Sequence, residues 1–173
     1  MLGIDPGPKA CGWAIVDCRP AGRHRVLHKG EQESGRPFVF AMPIELVAIE
    51  CPTDFYPVGS KARVIAQARE IARTINVARD IEQSVERLPV VKLTCKQARK
   101  SVCGGSNATD RDVSYWLALL CEMPKRSNNH ERDAVVIAIA GWRKWSADQL
   151  ATQSAGAQAV LSAVEKAMPP SAA

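Results

Sequence analysis

No stretch of this sequence approaches the roughly 18 consecutive apolar residues that a membrane-spanning helix needs. Nor does the N-terminus carry a basic-then-apolar secretion signal, because Asp5 interrupts the first apolar run too soon. Together these absences predict an intracellular, cytoplasmic protein with no membrane partner. Six cysteines are present (Cys11, Cys18, Cys51, Cys95, Cys103 and Cys121), yet none forms a Cys-x-x-Cys pair. No histidine stands at zinc-ligand spacing from two of them. A disulfide framework and a structural zinc site are thereby disfavoured, and the expectation is reduced thiols serving as small buried hydrophobes. No internal repeat is visible.

What is present suits a folded domain. Hydrophobic residues make up 46% of the 173, enough for one domain with a substantial core. The expectation is a single domain over residues 1–167 and a disordered tail over 168–173. The first half reads as strands: residues 1–5, then 12–16 after the Pro6-Gly7-Pro8 turn, a third near 26–28 and a fourth over 45–50. The fourth is apolar throughout its interior, which predicts burial on both faces.

Ser60 is placed to cap a long helix, where apolar residues at 65, 68, 71, 72, 75, 78, 81 and 85 keep a 3.6-residue period. A strand over 90–93 follows, then a helix over 95–102 that Thr94 can cap, one over 110–121 that Asn107 to Thr109 can cap, and helices over about 130–145 and about 147–167. Strands early, helices late and a crossover between them predict an α/β fold with a central mixed five-stranded sheet, flanking helices and an extra C-terminal helix.

Three acids stand at the tips of apolar elements. Asp5 ends the first strand and leads into Pro6-Gly7, Glu50 ends the run Leu46-Val47-Ala48-Ile49, and Asp133 opens the apolar helix 134–140. Carboxylates in such places are costly to hold ionised without a neutralising cation. Three of them point to one acidic pocket built for divalent metal. The formal charge is +5, and between Lys61 and Arg111 eleven basic residues face five acids, a local surplus of six positive charges. A basic surface beside an acidic metal pocket suits a polyanion such as nucleic acid; an ordinary solvated helix face is the plain alternative.

These pieces, in order, resemble the RuvC family of Holliday-junction resolvases, within the ribonuclease H-like superfamily. The matching segments are Gly3-Ile4-Asp5-Pro6-Gly7 with Gly12-Trp13, Val47-Ala48-Ile49-Glu50, and Val90-Val91 leading to Lys96-Gln97-Ala98-Arg99-Lys100-Ser101-Val102 with Gly104-Gly105. The last is His130-Glu131-Arg132-Asp133-Ala134, running into residues 135–140.

The resemblance implies a ribonuclease H-like fold and a homodimer that cuts opposing strands of four-way junction DNA, leaving 5′-phosphate and 3′-hydroxyl ends. It implies two Mg²⁺ ions, with Mn²⁺ as a substitute, held by Asp5, Glu50 and Asp133. The family carries an acid or a histidine three residues before the last of these, so His130 is implied as the fourth catalytic ligand, with Glu131 as the neighbouring substitute. Spaced i, i+3 at a helix start, His130 and Asp133 can share one pocket.

Lys100 and Arg111 fall where the family has basic residues on the DNA backbone, and Lys96 and Arg99, on the same short helix as Lys100, are expected to share that duty. Phe55 and Tyr56 stand slightly later than the family's base-stacking aromatic; packing against the long helix is the alternative for them. Cleavage of other branched DNA or of structured RNA keeps the same fold and pocket. An actin-like phosphotransferase would need a second lobe, and a catalytically dead binding module would be expected to have gaps among the acids.

Overall fold

A computed structural model of the protein describes residues 1–18, 22–39, 42–52, 60–123 and 127–167, with side chains described as far as 159. The expected tail over 168–173 and the pair Phe55 and Tyr56 lie outside the described residues.

Among the described residues, six strands form one mixed sheet. They are β1 (Leu2–Pro6), β2 (Ala10–Asp17), β3 (His24–Glu33), β4 (Val47–Glu50), β5 (Val90–Leu93) and β6 (Cys121–Glu122), arranged β5-β4-β1-β2-β3-β6. β1, β2 and β3 run antiparallel in series; β4 joins β1, β5 joins β4 and β6 joins β3 in parallel. The helices are α1 (Lys61–Ser84), α2 (Cys95–Cys103), α3 (Asp110–Leu120) and α4 (Asn129–Ala167).

Three features differ from the sequence expectation. The sheet has a sixth strand, because the two residues after α3 lie against the start of β3, pairing His24 with Cys121. β3 is ten residues long, since its polar second half pairs with β2 without needing an apolar pattern. α4 is one helix of 39 residues where two were expected, as no residue around 146 breaks the backbone.

Strand alternation sends neighbouring side chains to opposite faces. Leu2, Ile4, Val47 and Ile49 pack with Ala78 and Ile81 of α1 on one side. Ala14, Val16, Val26 and Ala48 pack on the other side, with Ala98 and Val102 of α2, Val113 and Leu117 of α3, and residues 134–140 of α4. Those seven α4 residues are all at most 1% exposed. Each Val or Ile among them contributes about 1.5–3 kcal/mol of burial, which makes this segment the anchor of the core. α1 keeps its helical period, but only its last two turns are buried, and Ile65 and Ile75 are exposed.

Candidate active site

Local chemistry fixes each element that meets at the site. β1 alternates Leu2 and Ile4 toward α1, so Gly3 and Asp5 face α4. On the parallel neighbour, Ile4 pairs with Ile49, which brings Glu50 alongside Asp5 at the carboxyl ends of both strands. α4 begins at Asn129 and presses its first turn onto the sheet. A Cβ at Gly3 would stand 2.1 Å from the Ala134 carbonyl oxygen, and one at Gly12 would stand 2.3 Å from that of His130. Gly12 is the register partner of Asp5, so the close approach that only glycine permits sets His130 and Asp133 over Asp5.

His130 Nδ1 and Asp5 Oδ2 are 2.8 Å apart. Asp133 Oδ1 accepts from Arg99 Nη2 at 3.4 Å, while the same Nη2 donates to Asp110 Oδ1 at 3.0 Å and Nη1 donates to the Ala108 carbonyl at 2.7 Å. α2 and α3 both start in a capping box, with Thr94 and Gln97 on one and Thr109 and Asp112 on the other, as the sequence suggested for the two threonines. These caps hold the two helix starts that carry Arg99 and Asp110.

The electrostatics are those of a crowded acidic pocket. Burial pushes the Glu50 carboxyl up to about 7, and the like charges of Asp5 and Asp133 add to the rise. Burial also raises Asp5 and Asp133, against the opposing pull of His130 and Arg99 respectively. His130 is raised, first by its hydrogen bond with Asp5. Cys95 borders the same pocket: burial, and then Glu50, drive its thiol up to about 11.

The donor set fits a hard divalent cation in chemistry, being three carboxylates and one imidazole in a partly buried site whose charges repel one another. It is not closed for one as it stands. Among the described residues, no three His, Cys, Asp or Glu side chains are gathered tightly enough to hold an ion. In their present contacts Asp5 is engaged by His130 and Asp133 by Arg99.

The sequence-predicted residues thus divide. Asp5, Glu50, His130 and Asp133 are brought together. Glu131 is drawn away from them, paired with Lys29 at 2.6 Å. Lys96, Lys100 and Arg111 are exposed on α2 and α3. Arg99 turns inward instead, with 19% of its side chain exposed. Asp110 is a site neighbour that sequence reasoning missed, since an acid opening a helix is commonplace and nothing in the spacing ties it to Asp133.

No family model matches the chain. Crossover junction endodeoxyribonuclease RuvC of Salinibacter ruber is 23% identical over 154 residues, covering 80% of this chain and 82% of that protein. The enzyme of the same name from Chromobacterium violaceum is 25% identical over 153 residues, covering 80% and 83%. Among solved structures, Thermus thermophilus RuvC in complex with a Holliday junction substrate superposes with a TM-score of 0.60 at 18% identity, over 84% of this chain and 94% of that one. The chain is RuvC-like. The fold likeness takes in 84% of this chain, and the ribonuclease H-like α/β architecture expected from sequence is the one observed, with a sixth strand in the sheet. Among the described residues no helix is long and apolar enough to cross a membrane.

Proposed function

We propose that this protein is a structure-selective DNA endonuclease that resolves four-way junctions by metal-dependent phosphodiester hydrolysis. The observation that carries the reading is the convergence of Asp5, Glu50 and Asp133, from β1, β4 and α4, in a chain with the RuvC fold.

Asp5, Glu50 and Asp133 are the residues to hold two divalent ions, Mg²⁺ first and Mn²⁺ as a substitute, with His130 as the fourth ligand. Bound there, divalent metal supplies charge stabilisation for the scissile phosphate and a lower pKa for the attacking water. The chain's own part is to orient and to hold charge. Glu50, with its pKa near 7, gives up its proton as the pocket becomes cation-binding at neutral pH. His130 holds Asp5 in place through the Nδ1 contact.

The exposed Lys96, Lys100 and Arg111, on α2 and α3, are the residues to position phosphates without reading sequence. The protein acts as a homodimer, so that two such sites cut opposing strands and leave 5′-phosphate and 3′-hydroxyl ends. Titration of a synthetic four-way junction against linear duplex, flap and structured RNA, with Mg²⁺ or Mn²⁺ and with Asp5→Asn as control, tests the reading. Paired symmetric nicks in the junction, absent in the variant, are expected. Preference for flap or RNA would overturn the substrate, and undiminished cleavage by Asp5→Asn would overturn the site.

A further inference from the structure

Arg99 is a pocket side chain whose geometry the proposed chemistry leaves unexplained. It reaches in from α2, with its guanidinium between an inner acid, Asp133, and an outer one, Asp110. Buried arginine–carboxylate pairs are strongest when two parallel N–H groups meet two oxygens. Here a single nitrogen, Nη2, is shared by two carboxylates on two elements, 3.0 Å from the outer oxygen and 3.4 Å from the inner. The outer end is the better held, because Nη1 also donates to the Ala108 carbonyl at 2.7 Å. Nε is buried and has no hydrogen-bond partner among the described residues. The grip on Asp133 is therefore the long, replaceable contact, and the grip on Ala108 and Asp110 is the fixed one.

We infer that Arg99 is a resident counter-cation, which neutralises Asp133 until divalent metal takes its place, and that Asp110 is the resting partner onto which Arg99 is then released. The inference rests on the metal-dependent reading of the pocket and adds to it a positioning pair, Arg99 and Asp110, on helices that carry none of the four proposed ligands.

The physical case has two halves. Without metal, three partly buried carboxylates repel one another, and a cation among them offsets that repulsion; Arg99 acts on Asp5, Glu50 and Asp133 alike. With metal, a fixed positive charge on Asp133 would compete for the same oxygens and repel the incoming ion. Leaving that guanidinium buried and unpaired would also be costly, which is what Asp110 prevents. With 58% of its side chain exposed, against 25% for Asp133, Asp110 can accept the charge near solvent.

The test is equilibrium binding of Mn²⁺ alone to the full chain, followed by electron paramagnetic resonance, for wild type, Arg99→Gln, Asp110→Asn and the double variant. Arg99→Gln removes the competitor and is expected to tighten Mn²⁺ binding about three- to tenfold. Asp110→Asn removes the resting partner, leaves Arg99 on Asp133 and is expected to weaken binding by a similar factor. In the double variant the Asp110 effect should vanish, since the residue acts only through Arg99.

Asp110 is outside the capping box of α3, which uses Thr109 and Asp112, so Asp110→Asn keeps the fold testable even if Arg99→Gln does not fold. Wild-type binding with Asp110→Asn unchanged or tighter would overturn the inference alone, as would an Asp110 effect that persists without Arg99. No Mn²⁺ binding by wild type would instead remove the metal-dependent reading, and this inference with it.

Discussion

Glu50 is the residue in which burial, charge and chemistry meet. Its carboxyl is pushed from 4.5 to about 7, first by burial and then by Asp5 and Asp133. A carboxyl with a higher pKa folded than unfolded binds protons more tightly when folded. Its contribution to stability is full below 4.5 and is lost as pH rises through about 7. Asp5 and Asp133 are raised in the same direction. The metal-free protein is therefore expected to melt at progressively lower temperature as pH is raised across this window. Glu50→Gln should flatten the trend and stabilise the metal-free protein above it by on the order of 2 kcal/mol while abolishing cleavage. Thermal melts in chelator across the window check this, and a melting temperature that climbs with pH would contradict it. Metal affinity runs the other way, rising as Glu50 deprotonates. At this scale the sequence was informative about acids and silent about partners. Asp5, Glu50 and Asp133 each end or begin an apolar element, a pattern visible in the chain itself. That Arg99 faces Asp133, and that Glu131 leaves for Lys29, depends on contacts between residues 34 and 102 positions apart, which no local pattern encodes.

Elements position those residues, and the tightest constraint is where α4 starts on β1 and β2. Gly12→Ala places a methyl group 2.3 Å from the His130 carbonyl oxygen, a backbone atom that cannot give way alone. The first turn of α4 must then lift, carrying His130 and Asp133 off Asp5. Overpacking of this kind costs about 1–3 kcal/mol or more. The expected result is a protein that still folds, because residues 134–140 remain buried, but has lost cleavage by at least about tenfold, the scale that misplacement of reacting groups brings. Unchanged turnover in Gly12→Ala would contradict the role given to this contact. β1, β2, β4, β5 and the helix starts at Thr94 and Thr109 were legible because alternation, apolar runs and capping residues are local signals. β6 was not, since two residues carry no period, and they become a strand only because His24 and Arg25 offer an edge. The continuity of α4 was equally hidden: a change from apolar to polar composition near 146 resembles a boundary, but the backbone crosses it as helix.

At the scale of the whole molecule, the acidic pocket and the exposed basic residues of α2 and α3 call for different tests. Lys100 and Arg111 are exposed on separate helices and are read as phosphate contacts. Replacing both with Gln should weaken junction binding and reduce the steepness of log affinity against log salt by about 0.9 per lost contact. A slope unchanged by the double variant would remove them from the interface, whatever the fate of the pocket. The fold class was readable from the order of strands and helices, and the ordered motifs from Asp5 to Asp133 span most of the sheet and the first part of α4. The exposed first turns of α1 were not foreseen, because helical periodicity reports an apolar face without saying what covers it. If Asp5, Glu50, Asp133 and His130 hold the metal proposed to cut the junction, anomalous diffraction from crystals of the protein soaked in Mn²⁺ should locate it there. Anomalous density is expected between Asp5, Glu50 and Asp133, with His130 in its coordination and none in Asp5→Asn. Density confined to other parts of the molecule, or an unchanged peak in the variant, would contradict it.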